Sequence, residues 1–332
     1  MDNYLQVLQQ MEEFGIVLRA KDTPLKLDTE RRVTCGEKGK DWYRFYTFQP
    51  NAGGTYITGS FGTYRHGGSF QKVEVDWAPL SEAERKRLAA QRDAARAASE
   101  VARRHAAAQA AMSAAEWLAA AGRSGRSPYL EAKGLEGESC RYMADGTLVI
   151  PMMRYDLPVD ERLQAVQRIL PNGRKFYTKG FTKPGCAVRL GPAPVLGIDT
   201  LLLVCEGYAT GLTLRVATDR QYPVFVAFDA GNLVHVVPQL RALYPEARLL
   251  ICADDDWRTR DPQTGRLSNP GRTVARKVAR EVPGCDLVWP VFAGGQRDPK
   301  DTDFDDLRQR QGIEVARRQL CGVLNAMERL YG

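Results

Sequence analysis

Two stretches of the sequence decide the fold: Leu201-Leu202-Leu203-Val204-Cys205-Glu206-Gly207, and Leu249-Leu250-Ile251-Cys252-Ala253-Asp254-Asp255-Asp256. In each, a short apolar run ends abruptly in carboxylates. Short apolar runs of this kind are typical of strands that are buried on both faces, as in a parallel sheet. Ligands of open α/β sheets bind beyond the carboxyl ends of the strands, so both acidic ends should lie at one ligand-binding edge.

The rest of the chain from residue 200 onward repeats the alternation of strand and helix. The spacing predicts strands over Leu201–Cys205, Pro223–Phe228, Arg248–Ala253 and Asp286–Trp289, with helices over Tyr208–Ala217, Leu233–Leu243, Gly271–Val282 and Phe304–Leu330. Apolar strands separated by helices of about ten residues indicate a Rossmann-like parallel sheet with helices on both faces.

The acidic strand ends predict metal chemistry. Asp254 and Asp256 project the same way if the chain is still extended there, and Glu206 follows a neighbouring strand. Hard oxygen ligands suit Mg²⁺ or Mn²⁺, which act on phosphates. No histidine lies nearby and the cysteines lack close metal-binding spacing, so no zinc is expected. The alternative is structural, because a lone carboxylate at such a place is usually a helix cap or part of a polar turn.

Length and composition bound the class of protein. The chain has 332 residues, 44% of them hydrophobic, which indicates about two globular domains. No apolar run approaches the length of a membrane span, and the N-terminus does not resemble a secretory signal. Seven scattered cysteines argue against a disulfide framework. We therefore expect a cytoplasmic protein without a membrane partner.

The positive charge is concentrated in one stretch. The net charge of +7 comes entirely from residues 81–190, and Arg162–Arg189 contains seven basic residues and no acidic one. Asn172-Gly173 predicts a hairpin turn inside it. Aromatic residues interleave with the basic ones, a composition that suits single-stranded nucleic acid. The alternative is a solvated hairpin whose aromatic residues belong to the core. The predicted contacts are Arg168, Arg174, Lys175, Tyr177 and Lys179, and strand alternation favours the face of Lys175, Tyr177 and Lys179.

The N-terminal part reads differently. Residues 1–22 predict a helix and residues 31–77 a small antiparallel sheet whose aromatic residues form a core or stack on bases. Residues 81–121 contain 18 alanines and begin with a Ser81/Glu84 capping box, which predicts a long exposed helix. Five segments follow: a small α+β domain over 1–80, an Ala-rich basic helical connector over 81–122, a basic β-rich region over 123–195, the α/β domain over 196–312, and a C-terminal helix over 313–332.

The acidic motifs resemble the Toprim domain of primases, topoisomerases and some nucleases, in which one strand ends in Glu and another in Asp-x-Asp. The branch found in plasmid and phage primases matches best. It shares four segments with this chain: Glu206–Gly211, Ala230–Leu233, Asn269-Pro270-Gly271 and Lys300–Leu307. Asp301 and Asp305 depart from the usual Gly and Asn of the last segment. The resemblance covers residues 125–310.

The resemblance implies roles for individual residues. Glu206 is expected to act as a general acid or base or as a metal-linked carboxylate, Asp254 and Asp256 as metal ligands, and Asp303 as a further carboxylate. Asn232 is expected to orient the strand-end loop beside the nucleotide. Arg272 and Lys277 follow Asn-Pro-Gly and could meet phosphate, although a solvated helix face explains them equally well.

The implied function is a DNA primase of a phage or plasmid. It would join ribonucleoside triphosphates on single-stranded DNA, with Mg²⁺ or Mn²⁺ as cofactor. Two alternatives stay open: a metal-dependent Toprim nuclease, and an inactive DNA-binding replication accessory. The sequence has no P-loop and no zinc ribbon, so a replicative helicase is expected as a partner on a separate chain.

Overall fold

A computed structural model describes residues 1–65, 68–75, 81–195, 200–260, 265–294 and 297–331. The predicted boundaries at residues 80 and 196 lie outside this part of the chain. The chain divides into two compact units, residues 1–105 and 106–332, so the division lies inside the Ala-rich helix. The finer division into five segments stays a prediction.

The first unit is a four-stranded antiparallel sheet with one helix on its inner face. Helix α1 spans Tyr4–Glu13, and the strands are β1 (Val33–Cys35), β2 (Asp41–Phe48), β3 (Tyr56–Thr63) and β4 (Ser69–Lys72), in spatial order β1-β2-β3-β4. Val7 and Met11 of the helix pack against Phe45 and Phe61 of the sheet. The small antiparallel sheet agrees with the sequence expectation, whereas the helix is shorter than residues 1–22.

Helix α2 spans Glu82–Ala120 and begins with the predicted capping box. Ser81 Oγ donates to Glu84 Oε2 at 2.6 Å, and the Glu84 amide donates back to Ser81 Oγ. The helix is less exposed than we expected. Leu88 is buried in the first unit, and Ala110 and Ala114 are buried in the second. Alanine has no bulk beyond Cβ, so one face of an Ala-rich helix packs closely without large apolar side chains.

The second unit opens with a small antiparallel sheet. Helix α3 spans Pro128–Lys133, and the strands are β5 (Arg141–Tyr142), β6 (Leu148–Met153), β7 (Leu163–Ile169) and β8 (Lys175–Tyr177), in spatial order β5-β6-β7-β8. Strands β7 and β8 form the predicted hairpin. Gly173 has φ of +81°, the left-handed conformation that a tight Asn-Gly turn requires.

The central sheet has five strands: β9 (Val188–Leu190), β10 (Leu201–Cys205), β11 (Val224–Val226), β12 (Arg248–Cys252) and β13 (Cys285–Val288). Their spatial order is β13-β12-β10-β11-β9. Strands β10 to β13 are parallel, as predicted, whereas β9 runs antiparallel to β11 at the edge.

Helices cover both faces of this sheet. They are α4 (Tyr208–Ala217), α5 (Ala230–Leu243), α6 (Pro270–Glu281), α7 (Phe304–Gln311) and α8 (Ile313–Tyr331). Leu203 packs in one core with residues of α4, α7 and α8, and Leu202 packs in the opposite core with residues of α5 and α6. The predicted α/β fold is therefore confirmed. Along the described residues, no helix is both long and apolar enough to cross a membrane.

Candidate active site

The carboxylates predicted to act together follow two adjacent parallel strands. Cys205 pairs with Cys252 in the sheet, so β10 and β12 end side by side. Glu206 comes directly after β10, and Asp254 to Asp256 come two residues after β12. The parallel register therefore brings both acidic segments to the carboxyl edge, the place where open α/β sheets bind ligands.

Glu206 is buried among other acids. It is 8% exposed, and it accepts hydrogen bonds from the backbone amides of Asp254 and Ala230. Burial raises the pKa of Glu206 to about 7, and the negative charges of Asp256 and Asp303 add to the rise. Its Oε1 atom has no hydrogen-bond partner.

Asp254 is in a similar position. Burial raises its pKa well above the usual value, and the charges of Glu206, Asp303 and Asp256 act in the same direction. Its Oδ1 atom is buried without a hydrogen-bond partner. The four predicted carboxylates are thus close enough to repel one another. We call these residues the carboxylate cluster: Glu206, Asp254, Asp256 and Asp303.

The Asn-Pro-Gly segment at the start of α6 holds Asp256. The Gly271 amide donates to Asp256 Oδ2 at 3.0 Å, and Asn269 Oδ1 accepts from the Asp256 amide at 3.0 Å. A Cβ atom on Gly271 would lie 2.5 Å from the Asp254 carbonyl oxygen. Only glycine fits this approach, so the motif is explained by contact with the cluster.

Asp303 has a structural role beside its place in the cluster. It caps α7 by accepting from the Asp306 amide at 2.8 Å, and it accepts from Thr210 Oγ1 at 2.7 Å. Burial raises the pKa of Asp303 to about 6, and the charge of Asp306 contributes. Both of its oxygens are therefore already hydrogen-bonded before any ligand is considered.

The cluster fits a divalent cation by its chemistry. Two buried carboxylate oxygens without partners and four mutually repelling acids form an environment that a hard cation stabilises. Within the described ranges, however, no three His, Cys, Asp or Glu side chains stand close enough together to form a complete metal site as placed here. The expectation that the oxygens share an ion directly stays a prediction.

Asp255, which the sequence analysis did not select, holds the acidic segment in place through hydrogen bonds on the side away from the cluster. It is 5% exposed and accepts from Arg297 Nη1 at 2.7 Å, Asn269 Nδ2 at 2.6 Å and Arg272 Nη1 at 3.2 Å. Burial opposes ionisation, but these three donors outweigh it and lower the pKa of Asp255. The signal in the sequence was strand alternation, which turns Asp255 away from Asp254 and Asp256.

The two predicted phosphate contacts on α6 have different surroundings. The guanidinium of Arg272 is paired with Asp255 and lies 4.1 Å from the centre of the Trp289 ring, so it serves as a brace in this structure. Lys277 is exposed, 4.0 Å from Glu281 on the same helix. Its surroundings are those of a solvated helix face.

Asn232 lies inside the protein, in a position to orient the strand-end loop. It is 3% exposed, and its amide group is used up by the protein. Oδ1 accepts from the Gly185 amide at 2.9 Å, and Nδ2 donates to the carbonyls of Cys186 and Ala227. Asn232 therefore ties the loop before β9 to the end of β11.

That loop carries a second residue which the sequence analysis did not select, Lys183. It pairs with Asp229 at the start of α5, and it feels the charge of Glu206. Burial lowers its pKa. Lys183 was visible only as one member of the basic run, because nothing local to it shows that the loop folds back to the cluster.

The two aromatic side chains of β8 in the basic hairpin have different surroundings. The hydroxyl of Tyr177 accepts from Gln167 Nε2 at 2.8 Å, and its ring packs against Phe181 and Phe228. Tyr177 is thus half-buried and packs against the core, and its role as a stacking platform stays a prediction. Phe176 is 37% exposed, with the Arg174 guanidinium 5.1 Å from the ring centre.

The remaining basic residues of the hairpin divide into two groups. Lys175 and Lys179 are exposed, as the prediction of phosphate contacts requires. Arg168 is half-buried, and its guanidinium lies 4.3 Å from the centre of the Trp117 ring on α2. Arg168 is therefore engaged in joining the hairpin to the helix.

Comparisons with known proteins find similarity in the same part of the chain. Residues 201–314 match the family model of the Toprim domain. Two Escherichia coli proteins named DNA primase TraC are similar: one is 34% identical over 170 residues, and the other 31% over 179 residues. These matches cover 51% and 53% of this chain, but only 15% and 12% of the relatives.

Solved structures are less similar. The primase fragment of the bacteriophage T7 primase-helicase protein is 13% identical with a TM-score of 0.40, and the match covers 57% of this chain and 73% of that one. A DNA primase domain from Pseudomonas aeruginosa is 17% identical with a TM-score of 0.31, over 59% of this chain and 63% of that one. Residues 201–314 thus match the Toprim domain, and about half of the chain is similar in sequence to DNA primases.

Proposed function

We propose that this protein is a metal-dependent nucleotidyltransferase that synthesises RNA primers on single-stranded DNA. The observation that carries the proposal is the carboxylate cluster, with its unpartnered oxygens on Glu206 and Asp254 at the carboxyl edge of a Toprim sheet. The similarity to DNA primases supports primer synthesis as the reaction. A phage or plasmid replication system in the cytoplasm would be its setting.

Glu206, Asp254 and Asp256 would hold Mg²⁺ or Mn²⁺, with Asp303 as a further carboxylate. When bound, such an ion neutralises phosphate charge and makes a nearby hydroxyl a better nucleophile. Without a cation, burial raises the pKa of Glu206 to about 7, which suits its carboxylate to take and release a proton when it is not a metal ligand. Asp255 keeps the acidic segment in place through its bonds to Arg297 and Arg272.

The cluster repels the phosphates of a nucleic acid, so a positive surface must hold the backbone. Lys183 lies within electrostatic reach of Glu206 and is the basic residue that this arrangement favours for a triphosphate. The exposed Arg174, Lys175 and Lys179 of the hairpin would contact template phosphates. The partners would be single-stranded DNA, ribonucleoside triphosphates and a replicative helicase on a separate chain.

The test is to incubate the full chain with single-stranded DNA, labelled ribonucleoside triphosphates and Mn²⁺. We expect short labelled RNA that disappears in the Glu206→Gln variant and persists in Glu161→Gln, a matched change at an exposed glutamate of the same unit. Shortened DNA would show a nuclease instead. Retention of DNA with neither product, in a folded protein, would show a binding protein and overturn the proposal.

A further inference from the structure

The antiparallel sheet of the first unit has an outer face that α1 does not cover. Strand register defines two neighbouring rows across this face. Thr34, Trp42, Gly62 and Phe70 stand opposite one another in the first row, because Trp42 pairs with both Thr34 and Gly62, and Gly62 with Phe70. The second row, two residues along each strand, contains Arg44, Ser60 and Lys72, and Arg32 stands just before β1.

Phe70 is the exposed aromatic residue of the first row, whereas Trp42 is only 4% exposed. Phe70 is 64% exposed, whereas residues on the inner face of the same sheet, such as Phe45 and Phe61, are fully buried. Trp42 lies beneath the guanidinium of Arg32, 3.7 Å from its ring centre, and beside Tyr64, which is 50% exposed. A large aromatic side chain that leaves this much of its surface in water contributes little to the core, so its presence there needs another explanation.

The second row and Arg32 make this face positive. Arg32 and Lys72 are exposed, and neither forms an ion pair within the described residues. Arg44 adds a third cation between them, with one N–H donated to the Ala95 carbonyl of α2. The paired strand positions of the outer face, from Thr34 to Lys72, include no aspartate or glutamate. The face is therefore complementary in charge to a polyanion.

Helix α2 covers one part of the face and leaves the other open. Gln91 donates to the Thr47 carbonyl and Arg87 to the Gln49 carbonyl, so the helix lies over the end of β2. Phe70 and Lys72, on the edge strand β4, stay exposed. The open part on this side is thus the edge strand β4, where Phe70 and Lys72 are both exposed on the same face.

We propose that this outer face is a second binding site for single-stranded DNA, separate from the Toprim domain. Phe70 offers a flat surface on which an unpaired base stacks, and Lys72, two residues along the same face of β4, contacts a backbone phosphate. Stacking on an exposed ring requires an unpaired base, so duplex DNA is disfavoured. The choice of DNA over RNA rests on the proposed function of the second unit.

The experiment measures binding of the full chain to a labelled 30-nucleotide single-stranded DNA in EDTA without nucleotides. Phe70→Ala should weaken binding by roughly 5- to 100-fold, and Phe70→Trp should restore it. Lys72→Gln should lower the slope of log affinity against log salt by about 0.7. A matched control combines Leu5→Ala with Lys21→Gln, which removes an exposed apolar side chain and a cation elsewhere in the same unit.

Each outcome decides the matter. Wild-type affinity and salt slope in folded Phe70→Ala and Lys72→Gln overturn the site, as does an equal loss in the control. Equal competition by duplex DNA overturns base stacking, and tighter binding of RNA of the same sequence overturns the assignment to DNA. This binding assay, in EDTA without nucleotides, and the primer-synthesis assay measure different steps, so failure of primer synthesis and failure of this site remain distinguishable.

Discussion

At Glu206, burial and neighbouring charge act in the same direction, and both oppose ionisation. A metal-free protein at neutral pH therefore keeps like charges together at a cost in stability. The same arrangement explains how a cation would bind, because it removes the repulsion. The proposed role of Glu206 and the stability of the metal-free protein thus conflict at this residue.

Replacing Glu206 by Gln should therefore have opposite effects with and without metal. In EDTA the melting temperature should stay the same or rise by a few degrees, because a buried like charge is removed. Added Mn²⁺ should raise the melting temperature of the wild type, since an ion that binds only the folded state stabilises it. The rise should be smaller in the variant. A Mn²⁺ response equal to that of the wild type would remove Glu206 from the metal site.

Asn232 is a buried polar residue whose hydrogen bonds stabilise the folded protein. Replacing it by Ala should lower the free energy of unfolding by at least about 2 kcal/mol, because the Gly185 amide and two carbonyls lose their buried partner. Chemical denaturation measures this, with Asn325→Ala as an exposed control. A change as small as that of the control would mean that water replaces the lost hydrogen bonds.

At the scale of elements, the hairpin of β7 and β8 has exposed lysines that carry charge and a tyrosine that packs against neighbouring rings. Replacing Lys175 and Lys179 by Ala should weaken single-stranded DNA binding and flatten its dependence on log salt by roughly one unit per lost phosphate contact. The melting temperature should barely move, because exposed charges contribute little to stability.

Tyr177→Ala provides the contrast on the same strand. Because its ring packs against Phe181 and Phe228, this variant should melt at a clearly lower temperature while its salt slope stays unchanged. If the lysine double variant keeps the wild-type slope, the hairpin is only a solvated surface.

The start of α2 depends on an ionised carboxylate. Glu84 accepts from Ser81 Oγ and from the backbone amides of Asn51 and Ser81, and these bonds lower its pKa from 4.5 to about 2. A lowered pKa in the folded state means that the stabilisation is complete above pH 4.5 and is lost as the pH falls toward 2.

Glu84→Gln should accordingly lower the melting temperature at pH 7, and the difference from the wild type should shrink between pH 4.5 and 2. Thermal unfolding followed by circular dichroism measures this. Glu82→Gln, at an exposed position of the same helical turn, should show no such dependence. A difference that stays constant with pH would mean that the Glu84 side chain acts without its charge.

At the scale of the whole molecule, the chain divides inside a continuous helix, between residues 105 and 106. The Gly, Ser and Arg composition of Gly122–Ser127 also predicts a boundary there. The structure ties that segment down, since Gly122 and Tyr142 exchange two backbone hydrogen bonds of 2.9 Å and Ser127 is 2% exposed.

Limited trypsin digestion should therefore cut first between Arg92 and Arg104, where several arginines of α2 are exposed. Mass spectrometry should find a fragment beginning near residue 105 that survives further digestion. A first cut after Arg123 or Arg126 would contradict this and restore the boundary predicted from composition.

The sequence by itself determined the α/β sheet, the order in which strands and helices follow one another, and the carboxylates at the ends of β10 and β12. These depend on the local period of hydrophobic residues and on the common direction of parallel strands, and both can be recognised in short stretches of sequence. The glycine of Asn269-Pro270-Gly271 was recognisable as part of a motif, although its reason, the contact with Asp254, was not.

Only the tertiary structure decided which face of each element is covered. Alternation placed Phe176 and Tyr177 on opposite faces of β8, but the choice of the buried one depends on Phe228, which is 51 residues away from Tyr177. The surroundings of Asp255 and Lys183 also depend on remote contacts. Asp255 bonds to Arg297, which is 42 residues away, and Lys183 lies on a loop that approaches Glu206. Such contacts join segments remote in sequence, and no local pattern reports which remote segment will cover a given side chain.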